Sequence, residues 1–179
     1  MKSLLSDDIL ILRTLTKLDI EGNYGNWFND PNVVKGNSHG RFPMTLGNLE
    51  KYITDAESNT SLLVLAVVLK ENDSHVGNIS LQNINWIDRS AEIAFILGEM
   101  HQHGKGIMYR AGSLLIQHAF NELNLRRIYC GTLSTNQGMI NLANKLGMQE
   151  EGRRREAIYK NGSYIDAVEF GILKKNTKT

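Results

Sequence analysis

A short loop with two glycines is the part of this sequence best suited to binding a small anion. Residues 101–106 read HQHGKG and lead directly into a stretch with few helix breakers. The first N–H groups of a helix have no partner within the helix and carry partial positive charge, so they can hold a phosphate. Gly104 and Gly106 would let the backbone approach it. The pattern predicts either a phosphate-binding loop or a tight turn.

Two well-known phosphate loops do not match these residues. The nucleotide-hydrolase pattern G-x-x-x-x-G-K-[ST] would need Ser or Thr after Lys105, where Gly106 stands. The dinucleotide pattern G-x-G-x-x-G would need a third glycine at Tyr109. The loop therefore needs its wider context to be interpreted.

The composition argues against several classes of partner. The 20 basic and 19 acidic residues leave a net charge of +1, so we expect no nucleic acid or membrane partner, and we predict no metal site. Arg153–Arg155 is the one dense basic run, which is either a solvated strand face or a site for an anionic ligand. The single Cys130 and the acids Asp7 and Asp8, where a signal peptide would be apolar, predict a cytoplasmic protein.

The hydrophobic pattern predicts the elements that must position this loop. We expect a mixed α/β fold with a largely antiparallel sheet, in which residues 22–43 form a loop-rich segment. One domain is predicted over 1–174 and a frayed tail over 175–179. Predicted strands cover 8–15, 61–70, 75–86, 90–98 and 126–133, and a hairpin over 151–173 turns at Asn161-Gly162; predicted helices cover 45–58, 107–119 and 136–147.

In this context the loop resembles the pyrophosphate-binding motif of the GNAT acyltransferases, [QR]-x-x-G-x-[GA], with His101 departing at the first position. Four other stretches match the family in order: "ILRTL", "SAEIAFILG", "NLANKLGM" after Asn136, and "EEGRRREAIYKNGSYIDAVEFGIL". The likeness covers nearly the whole chain. It implies the GNAT fold, with about six to seven strands and about four helices, splayed in the middle for acetyl-CoA.

The resemblance also implies which residues bind the cofactor. Backbone groups of Phe95, Ile96 and Leu97 would contact the pantetheine and the acetyl carbonyl, and Asn136 matches a family asparagine that often contacts the cofactor. Lys105 and Lys145 would add positive charge near the phosphates, or are simply solvated. The donors expected around the pyrophosphate are Gln102, His103, Gly104, Gly106 and Ile107.

For the chemistry, the resemblance makes Glu92 the candidate base that draws the proton from the acceptor amine. The alternative is a carboxylate that faces solvent or pairs with Arg89. Many relatives carry a tyrosine as proton donor where Ala143 stands here, so that donor is missing. The possible substitutes are water, Ser134, Cys130 and Tyr159; Cys130 is otherwise a core residue or, less simply, an acyl-cysteine relay.

The acceptor is expected over residues 27–42 and the final hairpin. Trp27 and Phe28 are either anchors of the first helix or an acceptor wall, and Asn29, His39 and Arg41 are loop residues that would contact the acceptor or face solvent. Lys35, Arg41 and Arg153–Arg155 would suit an anionic sugar nucleotide, whereas no acidic cluster in this segment would suit a polyamine.

These observations favour an acetyl-CoA-dependent N-acetyltransferase that acts by direct transfer in a ternary complex. The branch resembled includes ribosomal-protein, spermidine and amino-sugar acetyltransferases, and "WFNDPNVV" and "NGSYIDAVEFGIL" most resemble the amino-sugar members. We therefore expect a primary amine such as a nucleotide-linked amino sugar. The alternatives are a protein N-terminus, a polyamine, or a non-catalytic CoA-binding sensor; family likeness also makes a homodimer plausible.

Overall fold

Strands form where aliphatic and β-branched residues run between turn residues. The computed structural model describes residues 3–37 and 40–175, and the rest of the predicted tail, 176–179, lies outside them. Within the described residues there are eight strands: β1 (Leu5–Ser6), β2 (Leu10–Thr14), β3 (Leu63–Leu69), β4 (His75–Asn85), β5 (Ser90–Leu97), β6 (Arg127–Leu133), β7 (Gln149–Lys160) and β8 (Ser163–Leu173). The two-residue β1 is the strand beyond the six to seven expected.

The helices begin and end at the residues expected to cap them. Thr45 Oγ1 accepts the N–H of Asn48 at the start of α4, and Gly147, at φ +80°, follows the end of α6. The helices are α1 (Lys17–Ile20), α2 (Tyr24–Trp27), α3 (Pro31–Val34), α4 (Leu46–Ser58), α5 (Ile107–Asn121) and α6 (Gln137–Lys145). None in the described part of the chain is long and apolar enough to cross a membrane.

The sheet is antiparallel except at its centre, which confirms the predicted fold class. The strand order is β1-β2-β3-β4-β5-β6-β8-β7, and among the strands of the described residues only β5 and β6 run parallel. Their pairing ends at Glu92 opposite Tyr129, although β5 continues to Leu97 and β6 to Leu133. The two strands therefore diverge beyond this pair, and the sheet opens between them.

Helices cover both faces of the sheet. On one face α5 and α6 bury residues such as Leu115 and Ala143, both 0% exposed. On the other face α1, α2 and α4 enclose a second cluster that includes Trp27. The Trp27 ring packs edge-on against Tyr24 at 5.6 Å and fills the space beside Gly98, where a Cβ would collide with the indole. Close packing at both layers fixes the position of the opening between β5 and β6.

A buried ion cluster joins α1 to the sheet. Arg13 donates to both carboxylate oxygens of Asp19, at 2.9 and 2.6 Å, and His75 Nδ1 lies 3.3 Å from the same carboxylate. Burial alone would raise the pKa of Asp19, but Arg13, His75 and the Thr16 N–H outweigh it and hold that pKa far below its usual range. Asp19 is therefore ionised in the folded protein at neutral pH.

Candidate active site

The glycine loop has an open, concave backbone at the start of α5. Gly104 and Gly106 have φ of +78° and +79°, a left-handed conformation that favours glycine. No heavy atom lies within 4 Å of the place where a Cβ would stand at either residue. Gly106 is the N-cap of the 15-residue α5 and supplies no side-chain acceptor, so the first N–H groups of the helix point toward this concavity. The loop is suited to hold an anion.

The loop opens onto a large groove where the strands diverge. The groove has a volume of about 1320 Å³ and reaches from the glycine loop to the end of the β7–β8 hairpin. Phe95, Ile96 and Leu97 line it, and β4 pairs with them along their other edge. Within the described residues, the edge of β5 that faces β6 has no strand partner beyond Glu92. Apart from the Leu97 carbonyl oxygen, which lies 3.2 Å from His103 Nε2, the backbone groups along this edge can bind an extended ligand.

Glu92 lies at the point where the strands part. Its Oε2 accepts a hydrogen bond from Asn83 Nδ2 at 3.1 Å, and the half-buried side chain lines the groove. The alternative pairing with Arg89 does not form, because Arg89 donates to the backbone and side-chain oxygens of Asn124. Tyr129 stands beside Glu92 in register, and burial together with the Glu92 charge raises the pKa of its phenol. The groove thus places a carboxylate next to a neutral phenol.

The proposed substitutes for the missing tyrosine differ sharply in position. Ala143 is fully buried in α6, and Tyr159 is 55% exposed and packs against Tyr164 near the hairpin turn, where its neighbours Ile158 and Lys160 line the groove but it does not. Ser134 is half-buried beyond the end of β6, also outside the lining. Cys130 lines the groove but is 2% exposed, and burial raises the pKa of its thiol to about 12.

That protonation state decides the role of Cys130. A pKa of about 12 leaves about one thiol in 10⁵ ionised at pH 7, so the residue is a poor nucleophile. A thiol this basic is also a poor proton donor to a departing thiolate, whose ordinary pKa is about 8.5. The structure therefore favours Cys130 as a core residue. Water is then the substitute that the structure leaves, because burial and the Glu92 charge also raise the pKa of the Tyr129 phenol above its ordinary value.

Comparison with known proteins identifies the family. A family model described as an acetyltransferase (GNAT) domain matches residues 10–149. The chain belongs to the GNAT acetyltransferases. The uncharacterised N-acetyltransferase p20 of Bacillus licheniformis is 30% identical over 166 residues, which are 90% of this chain and 93% of p20. The putative ribosomal N-acetyltransferase YdaF of Bacillus subtilis strain 168 is 35% identical over 99 residues.

The YdaF match covers 55% of this chain and spans about half of that protein, 54% of its length. A solved structure of spermidine N-acetyltransferase from Vibrio cholerae, in complex with CoA and spermine, superposes with a TM-score of 0.84 and 26% identity. It covers 93% of this chain and 96% of that chain. The GNAT fold, the acyltransferase class and the use of acetyl-CoA are thereby confirmed.

The groove of this acetyltransferase fits acetyl-CoA, which supplies an acetyl group as a thioester. The open concavity at Gly104 and Gly106 suits a pyrophosphate, and the unpaired edge of β5 suits the amides of pantetheine. Of the residues predicted to bind the cofactor, the groove brings together all except Lys105, which is exposed outside its lining. Lys145 lines the groove with its ammonium 4.6 Å from the centre of the Tyr109 ring.

Asn136 connects the start of α6 to the loop that contains Gly36. Its Oδ1 accepts the N–H of Met139 in the first turn of α6, at 3.2 Å. Its Nδ2 donates to the carbonyl oxygen of Gly36 at 2.7 Å. The asparagine predicted to contact the cofactor therefore also fixes the loop over residues 34–37, which forms one wall of the groove.

The residues predicted to contact the acceptor are mostly engaged elsewhere. Trp27 is 3% exposed in the core, which favours its alternative role as an anchor of the first helices; Phe28 packs edge-on against Tyr24 at 5.6 Å. Asn29 forms two hydrogen bonds of 2.8 Å with the backbone of Met44. Arg41 donates to the Tyr159 carbonyl oxygen at 3.0 Å. His39 lies outside the described residues.

Other residues form the end of the groove beyond Glu92. Basic side chains of the 34–37 loop and the hairpin line its rim, namely Lys35, Lys160 and Arg154. Lys160 Nζ donates to the carbonyl oxygens of Val34 and Asn37, and burial followed by the nearby Arg41 charge lowers its pKa. The floor carries a second carboxylate, Glu169, from β8.

Sequence reasoning missed Tyr129 and Glu169. Glu169 pairs in register with Gly131, and its carboxylate oxygen lies 3.0 Å from the place where a Cβ of that glycine would stand. The signal was present in the sequence, since Glu169 interrupts the apolar run "AVEFGIL". A charge in such a run is costly to bury unless it has a partner or a function.

Proposed function

We propose that this acetyltransferase transfers the acetyl group to the primary amine of a small acceptor that also carries an anionic group, such as a nucleotide-linked amino sugar. The observation that supports this most directly is the mixed charge at the acceptor end of the groove. The carboxylates of Glu92 and Glu169 lie on the floor, and Lys35, Arg154 and Lys160 lie at the rim. An acceptor with a cationic amine and a phosphate matches both signs of charge.

The proposed chemistry uses Glu92 as the base. An amine is protonated at neutral pH and must lose a proton before its lone pair can form an amide bond. Glu92, oriented by the hydrogen bond from Asn83, takes that proton from the acceptor ammonium. The amine then forms the amide bond as the C–S bond of the thioester breaks, and the second amine proton passes through water to the departing thiolate. The groove holds both reactants side by side, so proximity supplies much of the rate and direct transfer needs no acyl-enzyme.

The second candidate acceptor is a protein N-terminus, which the 35% identity to the putative ribosomal acetyltransferase YdaF favours. The similarity to the spermidine N-acetyltransferase from Vibrio cholerae suggests a third candidate acceptor, spermidine. The basic rim disfavours that acceptor here, because a polycation would approach Lys35, Arg154 and Lys160. The charges of the rim therefore rank an anionic amine first.

An acceptor panel tests this ranking. Release of free CoA from acetyl-CoA is followed with UDP-linked amino sugars, glucosamine 1-phosphate, spermidine and peptides with free N-termini. We expect turnover with the anionic amino sugars and much lower kcat/KM with spermidine. Turnover with peptides alone would replace the proposal by the second candidate, and turnover with spermidine alone would contradict the role given to the rim.

A further inference from the structure

We propose that Glu169 binds the ammonium group of the acceptor within this groove, taking it in place of the Arg154 guanidinium, before Glu92 removes the proton. The inference rests on the proposed function and assigns Glu169 as a specificity-determining residue. It also predicts that the acceptor enters as a cation, which limits the acceptors to amines that are protonated in solution.

The sheet brings the two carboxylates to the same face. Glu92 on β5 is paired with Tyr129 on β6, and Gly131, two residues further along β6, is paired with Glu169 on β8. Residues two apart in a strand share a face, and neighbouring strands lie about 4.8 Å apart. Glu92 and Glu169 therefore flank β6 on the floor of the groove, one strand to each side.

A glycine clears the space between them. The Glu169 carboxylate lies over Gly131, with Oε2 3.0 Å from the place of a Cβ and Oε1 at 3.4 Å. Any larger residue at position 131 would meet this carboxylate. Glu169 thus reaches across β6 toward the point where β5 and β6 part, which is the point where Glu92 stands. Burial raises the pKa of Tyr129 and of Cys130 on β6, and the charges of Glu92 and Glu169 both add to this effect.

Arg154 is a weakly held counter-ion that an ammonium group can displace. Its Nε donates to Glu169 Oε1 at 2.8 Å, but its side chain is 67% exposed and that of Glu169 is 33% exposed. Ion pairs this accessible to water contribute about 0–1 kcal/mol. An acceptor that takes Glu169 from Arg154 leaves the guanidinium at the rim, where it can pair with the acceptor phosphate. The Glu169–Arg154 ion pair of the free protein is thus replaced by two ion pairs in the complex, Glu169 with the ammonium group and Arg154 with the phosphate.

Three substitutions separate these roles in binding, and a fourth, Glu169→Asp, is added in turnover. Glu169→Gln removes the charge, Arg154→Met removes the competitor, and Glu150→Gln is a matched control. Glu150 pairs with Arg153 at 2.7 Å on the same strand as Arg154, but neither residue lines the groove. The measurement is calorimetric titration of the CoA-saturated protein with glucosamine and with glucosamine 1-phosphate, which differ only by the phosphate.

We expect Glu169→Gln to weaken both ligands by about tenfold or more, the loss of a charge-assisted contact of about 1.5 kcal/mol. Arg154→Met should tighten glucosamine and weaken its phosphate, while Glu150→Gln should change neither. In turnover, Glu169→Gln should raise the acceptor KM with kcat nearly retained, and Glu169→Asp should restore part of the affinity.

Equal affinities in the parent and Glu169→Gln, or no binding of either amine by the parent, would overturn the inference. Arg154→Met changing both ligands in the same direction would refute the exchange of partners. A different result would contradict the proposed function, namely turnover with peptides alone in the acceptor panel. That result does not depend on whether Glu169→Gln alters the affinity for glucosamine.

Discussion

Replacing Gly104 by asparagine should separate a phosphate-binding loop from a simple tight turn. Gly104 has φ +78° with no heavy atom within 4 Å of its Cβ position, so the loop itself has room for a side chain. Asparagine adopts the left-handed conformation more readily than other L residues, and the backbone cost should be about 1 kcal/mol. Its side chain would, however, fill the concavity in which we place the pyrophosphate.

Gly162 provides a matched control because it has nearly the same backbone. It lies at the β7–β8 turn with φ +82°, again with no heavy atom within 4 Å of its Cβ position. Gly162→Asn should therefore lower the free energy of unfolding about as much as Gly104→Asn. The two variants differ in their distance from the cofactor, so only Gly104→Asn should lose affinity for acetyl-CoA.

The expected size of the effect can be worked from ligand linkage. Acetyl-CoA at 100 times its Kd adds about 2.7 kcal/mol to the stability of the parent, and a tenfold loss of affinity reduces this to about 1.4 kcal/mol. For a chain of this size, the lost 1.3 kcal/mol is about 3–5 °C of ligand-induced Tm shift. Thermal unfolding with and without acetyl-CoA measures it. Equal ligand-induced shifts in both variants would refute the loop assignment.

Three further outcomes are expected. Glu92→Gln should lower kcat/KM by about 100-fold while the Tm shift with acetyl-CoA is retained; unchanged kcat/KM would exclude Glu92 as the base. Cys130→Ala should keep kcat within about threefold of the parent, because a neutral buried thiol takes no part in transfer, and a large loss in a folded variant would revive the relay. Asp19→Asn should destabilise the protein by about 3 kcal/mol at pH 7. Since the folded-state pKa of Asp19 is depressed, this contribution is present above about pH 5 and is lost as the pH falls further, so denaturation curves of parent and variant should converge in acid.

The sequence was sufficient for the elements whose signals are local. Gly104, Gly106 and the Asn161-Gly162 turn were predictable, because each needs a positive φ that glycine or asparagine supplies. Trp27 was ambiguous, since an apolar residue in a broken segment packs inward or lines a site with the same sequence pattern. The structure resolves this through the contact with Gly98, 71 residues away, which no local pattern encodes.

The acceptor end was least predictable because strand order creates it. Glu92 and Glu169 are 77 residues apart in the chain. They share one face of the sheet because β8 lies between β6 and β7, two strands away from β5. Arg154 reaches Glu169 through the sequential β7–β8 hairpin, so the β6–β8 pairing is the step that brings this ion pair beside Glu92. The charge at each position was visible in the sequence, but the residues beside it depend on the strand order, which the pattern of a single strand does not specify.

Two features of the groove bear on how transfer is catalysed: the absence of the family tyrosine at Ala143 and the anchored loop over residues 34–37. Ala143 is fully buried and offers no proton donor, so we expect transfer to depend on positioning the two reactants rather than on a strong acid. Positioning falls to the 34–37 loop, which Asn136 holds at Gly36 and Lys160 holds at Val34 and Asn37. One anchor starts α6 beside the cofactor and the other ends β7 beside the acceptor. In the proposed complex this loop lies between thioester and amine, so we expect the rate of transfer to be sensitive to substitutions at either anchor.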